Sequence, residues 1–349
     1  MKSLSTAAKK LLNDPKRIAK RDEWFLKMEN VYNGKIEDPV VCIGGFAGTC
    51  TAEHLILTDP ERWVVECLED IASNIEKTEN QYCFVPACVE CDIYTTHFSD
   101  TIFGATVHWN PVSNQWYNDY LEIEPSELKF PDMEKSETWN IAKRAALAFI
   151  KNDVALPLFD LPIIGSALNQ FVNLWSEKAL LEMAVDEEGA GKILKIINNT
   201  LIYMHKWYLS VFPKKQLHYV YSTSRAQPPG FGQIDGCTTQ LISADMYRNL
   251  VMPLDEELLS TYPRGGMMHI CGHHLQHLES FRAMPHLRAF EMPSPAGDDF
   301  EAYFNGLRGD QVIYFSANKT VSREDALRIS KGKRIILQGG TEEPVHPPM

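Results

Sequence analysis

Short apolar runs that read as buried strands alternate with amphipathic helical runs along most of this 349-residue chain. Residues 39–46 (PVVCIGGF) read as a strand ending in a glycine turn, and Asp59-Pro60-Glu61 opens a helix with an acid at its cap and proline in its first turn. Tyr82–Val89 is strand-like, Glu137–Lys151 helical, Val154–Phe159 strand-like, Asp186–Phe212 helical and Leu217–Tyr221 strand-like. The second half repeats the pattern. Helices are expected over Ser243–Tyr262, His273–Met284, Asp298–Gly306 and Ser322–Lys331, and strands over Met267–Cys271, Leu287–Glu291, Val312–Phe315 and Arg334–Leu337.

Such alternation specifies parallel strands, which need a crossover between them, usually a helix. About eight strands over roughly 310 residues fit an α/β fold of the closed TIM (β/α)8 barrel type better than an open doubly wound sheet. No Gly/Ser/Pro-rich linker divides the chain. One barrel domain over residues 39–349 is therefore expected, preceded by an N-terminal helical arm over 1–38. The long irregular stretches 92–136 and 222–242 are candidates for functional loops.

Composition narrows the partners. A hydrophobic content of 44% is enough for a sizeable core, and a net charge of −12 argues against nucleic acid, which needs clustered Lys and Arg. Seven Lys or Arg fall within residues 1–21, yet that arm lacks the apolar core of a secretory signal, and Asp14, Pro15 and Asp22 speak against a transit peptide. The most apolar segment, Val154–Leu168, is broken by Pro157, Asp160 and Pro162, so no membrane span is expected. Eight cysteines without an export signal are expected as reduced thiols in a cytoplasmic protein.

The chemistry concentrates at Met267-Met268-His269-Ile270-Cys271-Gly272. His269 and Cys271 are two apart and so share one face of a strand, at the C-terminal end where a barrel of this kind carries its site. Imidazole and thiolate are zinc ligands, and a catalytic zinc takes three protein ligands with one position open. Cys237, in Gly236-Cys237-Thr238, is the first choice for the third ligand, Glu291 the second and Asp235 the third. Asp235 and the strand-ending Asp160 are candidate acid–base residues. His273 and His277, four apart on the expected helix, are a weaker candidate for a second metal site. Cys88-x-x-Cys91 lies along a strand, where its thiols face opposite sides and read as structural. Arg225 to Cys237, stiffened by Pro228 and Pro229, reads as a preorganised wall over the site, and Tyr94, His97 and Phe98 as lining for an apolar pocket or packing at the barrel mouth.

Leu241-Ile-Ser-Ala-Asp-Met-Tyr-Arg-Asn-Leu-Val-Met-Pro-Leu and Gly266-Met-Met-His-Ile-Cys-Gly-His resemble the uroporphyrinogen decarboxylase superfamily, which includes the corrinoid-linked methyltransferases. Asp160-Leu-Pro-Ile-Ile-Gly-Ser-Ala-Leu and Leu337-Gln-Gly-Gly-Thr-Glu-Glu are similar to its strand-end segment and closing turn. The resemblance spans roughly residues 55–345 and implies a TIM barrel. The decarboxylase branch uses an arginine-bearing N-terminal segment, whereas Ile43-Gly-Gly-Phe-Ala-Gly-Thr here has no arginine. The methyltransferase branch holds zinc with His-x-Cys and a distant C-terminal cysteine. His269 and Cys271 match, but no cysteine follows Cys271. The resemblance thus implies a zinc-dependent methyltransferase acting between a small-molecule substrate and a corrinoid or thiol acceptor, with the corrinoid carried by a partner protein. The alternative is a metal-free decarboxylase or lyase of porphyrin-related type.

Overall fold

The computed structural model describes residues 3–35, 42–44, 54–218 and 224–339. Its strands are β1 (Cys42–Ile43), β2 (Cys88–Glu90), β3 (Val107–Asn110), β4 (Gln115–Asn118), β5 (Leu158–Asp160), β6 (Leu217–His218), β7 (Gly232–Asp235), β8 (Gly266–His269), β9 (Leu287–Met292), β10 (Val312–Phe315) and β11 (Ile335–Gln338). A six-stranded sheet runs β1-β11-β10-β9-β8-β7 and a three-stranded sheet runs β2-β5-β6, with every pairing in both parallel. A parallel bridge between Ile43 and Phe84 joins β1 to the segment that leads into β2. The expected α/β architecture with parallel strands is therefore present. Among the described residues β6 and β7 share no pairing, and residues 219–223, part of the strand expected over Leu217–Tyr221, lie outside them.

Side-chain parity sorts the core into two clusters. Met267, Ala289, Val312, Tyr314 and Ile336 belong to one, while Met268, Phe290, Ile313, Ile335 and Leu337 belong to the other, facing the helices. The helix Pro15–Tyr32 joins the first cluster. Its Trp24, Phe25, Met28, Val31 and Tyr32 recur at helical spacing and pack with Phe84, Phe231, Met267 and Val312, residues at or just before strand starts. Each such side chain contributes roughly 1.5–3 kcal/mol on burial. The segment expected as an arm thus contributes to the core at the end of the fold opposite the strand tips. Asp14 starts this helix by accepting from the backbone N–H of Lys16 at 2.8 Å, and Pro15 follows it.

Three local expectations are corrected. The segment 222–242, read as loop, contains β7. The helix expected over His273–Met284 is a 3-10 turn, Leu275–His277, followed by an α-helix only over Leu278–Ala283. The irregular stretch 92–136 contains the antiparallel hairpin β3–β4 and the short helix Phe98–Ile102. No helix among the described residues is long and apolar enough to cross a membrane.

Candidate metal centre and its cavity

Asp235, His269 and Glu291 stand side by side across β7, β8 and β9, at one register. In a parallel sheet this places all three side chains on one face. The pairing continues past the strands: Gly236 N–H donates to His269 C=O at 2.7 Å and Ile270 N–H to Glu291 C=O at 3.1 Å. This carries Cys237, the next residue of the β7 chain, alongside Cys271. Gly236 permits the close approach, since a Cβ there would fall 2.7 Å from Met268 Sδ. The donor atoms of Cys237, His269 and Cys271 all lie within 4.8 Å of one another.

The charges around this group are coupled. His269 Nδ1 bonds the Glu291 carboxylate, which leaves the opposite edge of the ring for Cys271. Burial opposes a charge on His269, but hydrogen bonds with Cys271 and Glu291 outweigh it and lift its pKa to about 9. The Cys271 thiol is pulled well below the ordinary thiol range by hydrogen bonds from Cys237 and then His269. Cys237, the donor in that pair, is pushed up by the same bond and by burial. Burial would raise Glu291, yet His269 and Arg225 hold its carboxyl below the usual range. Arg225 Nε lies 3.2 Å from Glu291, and its Nη1 lies 3.9 Å from Asp235.

Glu291, considered as a ligand from sequence, is therefore the residue that orients His269. The histidines that follow serve the same centre in another way. His274 is fully buried and accepts from Gly272 N–H at its Nε2 (3.2 Å), while its Nδ1 meets Thr239 Oγ1 at 2.8 Å. Thr239 Oγ1 in turn donates to Gly236 C=O at 2.8 Å. This directional chain requires the neutral ring protonated on Nδ1, and burial accordingly pushes the His274 pKa down to about 4. His277 Nε2 bonds Thr239 C=O at 2.8 Å. Together they tie the Cys271 turn to the Cys237 turn. His273 is exposed and bonds Asp299, while His277 is buried, so the two rings weighed as a second metal pair do not face a common site. Cys88 and Cys91 are buried in different core clusters, as alternation along a strand requires.

A cavity of about 240 Å³ opens beside the group, lined by His269, Cys237, Asp235 and Arg225 and, from the helix Ala167–Trp175, by Asn169, Gln170 and Asn173. Asp235 thus reaches the cavity. Asp160 is buried at the end of β5 and does not line it. Tyr94 packs edge-on against Trp116, His97 binds Asp100, and Phe98 is fully buried, so of this loop only Thr96 lines the cavity. Sequence reasoning missed the amide row. Its trace was there: three polar residues in the otherwise apolar helix Ala167–Trp175, with Asn169 and Asn173 one turn apart.

No known family's sequence profile matches the chain, and neither does any curated protein. The fold is similar to that of a solved methyltransferase from Methanosarcina mazei, with a TM-score of 0.58 at 11% sequence identity, covering 93% of this chain and 94% of that one. At that identity the likeness establishes a common fold.

Proposed function

We propose that this chain is a methyltransferase that holds one zinc ion through Cys237, His269 and Cys271 and moves a methyl group between a corrinoid and a small thiol. The observation that carries the reading is the convergence of two sulfurs and one imidazole beside a cavity, in a fold common to a methyltransferase. The donor set fits zinc: S, N and S arms of about 2.0–2.3 Å could reach these three atoms with slight closure. When bound, zinc would supply Lewis acidity that keeps a substrate thiol ionised near neutral pH. Glu291 fixes the His269 ring, and the thiolate character of Cys271 suits a ligand role. Asp235, which lines the cavity, would take the proton of an entering thiol; Asp160, buried and off the cavity, would support the strand end instead.

The parallel strand order and the sequence resemblance support a barrel of the uroporphyrinogen decarboxylase superfamily that closes between β6 and β7, with residues 39–349 as one domain and 1–38 as its helical extension. A corrinoid-carrying partner protein would deliver or accept the methyl group. The metal-free decarboxylase reading is weaker. About 240 Å³ is less than the roughly 300–1,000 Å³ of pockets for drug-sized ligands, and Arg225 is the one arginine lining the cavity among the described residues.

Metal analysis by mass spectrometry tests the proposal. About one zinc per chain is expected, lost in Cys237→Ser, His269→Ala and Cys271→Ser and retained in Cys91→Ser. Zinc-supplemented protein that carries no metal would sink it.

A further inference from the structure

The three amides on the cavity wall are each locked in one orientation. Thr238 N–H donates to Asn169 Oδ1 at 3.1 Å and the Thr238 hydroxyl binds the same oxygen, so the Asn169 NH2 is left for the cavity. Asn173 gives its NH2 to Thr96 C=O at 3.3 Å and to Asp100 Oδ1 at 3.4 Å, which leaves its Oδ1. A backbone N–H can only donate and a backbone carbonyl only accept, so neither amide can flip. Gln170, 2% exposed, gives its NH2 to Asp100 Oδ1, and His97 Nδ1 holds the other Asp100 oxygen at 2.6 Å. Gln170 Oε1 is left as an acceptor. The helix Ala167–Trp175 thus brings two fixed carbonyl oxygens and one NH2 to the cavity lining.

The guanidinium at this cavity is already engaged. Arg225 lies between Glu291 and Asp235, and Asp235 itself lines the space. An anionic head group would meet two carbonyl oxygens and a carboxylate, with the Asn169 NH2 as the one amide donor and the guanidinium held by two acids. A head group bearing N–H or O–H donors would find acceptors aimed at it.

We infer that the cavity selects a thiol whose far end is a non-anionic, donor-bearing head, hydroxyl or ammonium, recognised by Gln170 Oε1 and Asn173 Oδ1. The inference rests on the methyl-transfer reading for the thiol end alone. In the balanced reaction the thiol gives its proton to Asp235 and its sulfur forms the C–S bond with the transferred methyl carbon. The cobalt–carbon bond of a methylcorrinoid breaks with its electron pair left on cobalt, giving a thioether and cob(I)alamin.

Three thiols of similar length separate the possibilities: 2-mercaptoethanol, cysteamine and 3-mercaptopropionate. Their binding to zinc-loaded wild-type protein is measured by calorimetry, and their methylation is measured separately with methylcobalamin as donor. The hydroxyl or ammonium thiol is expected to bind at least roughly tenfold tighter than the carboxylate, a difference of about one to two hydrogen bonds. Whichever of the two binds tighter identifies the head. Gln170→Leu should erase most of that preference with zinc content unchanged, and Asn173→Ala, on a more exposed part of the same helix, should halve it or more. Equal or tighter binding of 3-mercaptopropionate by wild-type protein overturns the inference, as does failure of all three to bind. Absence of methyl transfer with the order of affinities intact would overturn the methyl-transfer reading and leave the head-group selection standing.

Discussion

Glu291 sits directly across the β8–β9 pairing from His269, and its carboxylate takes the Nδ1 edge of that ring. The pair is built by register: a shift of one residue between the strands would turn Glu291 to the opposite face of the sheet. An imidazole fixed at one nitrogen presents the other in a defined direction, which a metal ligand requires. Replacing Glu291 by Gln should therefore weaken zinc binding about 10–100-fold with little effect on folding. Competition against a chromogenic chelator measures this, and an unchanged zinc affinity would remove Glu291 from the centre.

The brace behind the centre leads to a second prediction. His274 links Gly272 N–H to Thr239, and Thr239 links onward to Gly236, so one buried ring joins the turns bearing Cys271 and Cys237. His274→Phe keeps an aromatic ring but leaves Gly272 N–H without its acceptor, at a cost of about 1–3 kcal/mol in stability. Zinc affinity should fall along with the unfolding midpoint, although His274 is not one of the three converging side chains. A variant that loses stability but binds zinc as tightly as wild type would show that the two turns are held apart from this ring.

The β7–β8 contact sets the third. A Cβ on Gly266 would run into the carbonyl oxygen of Gly232 on the paired strand, and backbone cannot swing aside as a side chain can. Gly266→Ala should push β7 away from β8, destabilise the protein by roughly 1–3 kcal/mol and lower zinc affinity through Cys237. Gly309→Ala, where nothing lies within 4 Å of the new Cβ, is the matched control and should behave as wild type. Denaturant midpoints for the two variants, with zinc titrations, decide the matter.

These dependencies explain what could be read from the chain and what could not. The strand–helix alternation was legible because Met267–His269, Leu287–Met292 and Val312–Phe315 are dense apolar runs bounded by turn residues. Strand β7 was hidden, because Gly232-Gln233-Ile234-Asp235 has neither an apolar run nor β-branched density. Its glycine is demanded by the Tyr262 ring packed against it, a tertiary contact that leaves no local trace. His269 and Cys271 were legible as candidate ligands from a two-residue spacing, and Cys237 as a candidate from its place on the loop before the next helix. That Glu291 would orient rather than ligate depended on the register of β8 with β9. The helix expected from His273 onward failed because His274 bonds back to Gly272, which competes with helix formation over that turn.

Acid should reveal the last of the buried groups. His218 is buried against Phe25, its ring stacked at 5.1 Å, and burial together with the nearby charge of Arg21 pushes its pKa down to about 3. The folded state therefore keeps this ring neutral, while the unfolded chain protonates it near pH 6.5. Between about pH 6.5 and 3 the unfolded state binds more protons, so this contribution to stability is complete above pH 6.5 and is lost as the pH falls. At pH 4.5 the loss from this one ring is about 2–3 kcal/mol. His218→Phe preserves an aromatic ring against Phe25 and removes the titration. Urea unfolding of metal-free protein, compared at pH 7 and 4.5, should show the variant losing less stability than wild type by about that amount. His205, held neutral by burial beside Tyr262, supplies an acid limb that the variant retains. Equal acid sensitivity in wild type and His218→Phe would mean that the ring is hydrated in the folded protein and that the base of the fold is looser than the packing of Phe25 implies.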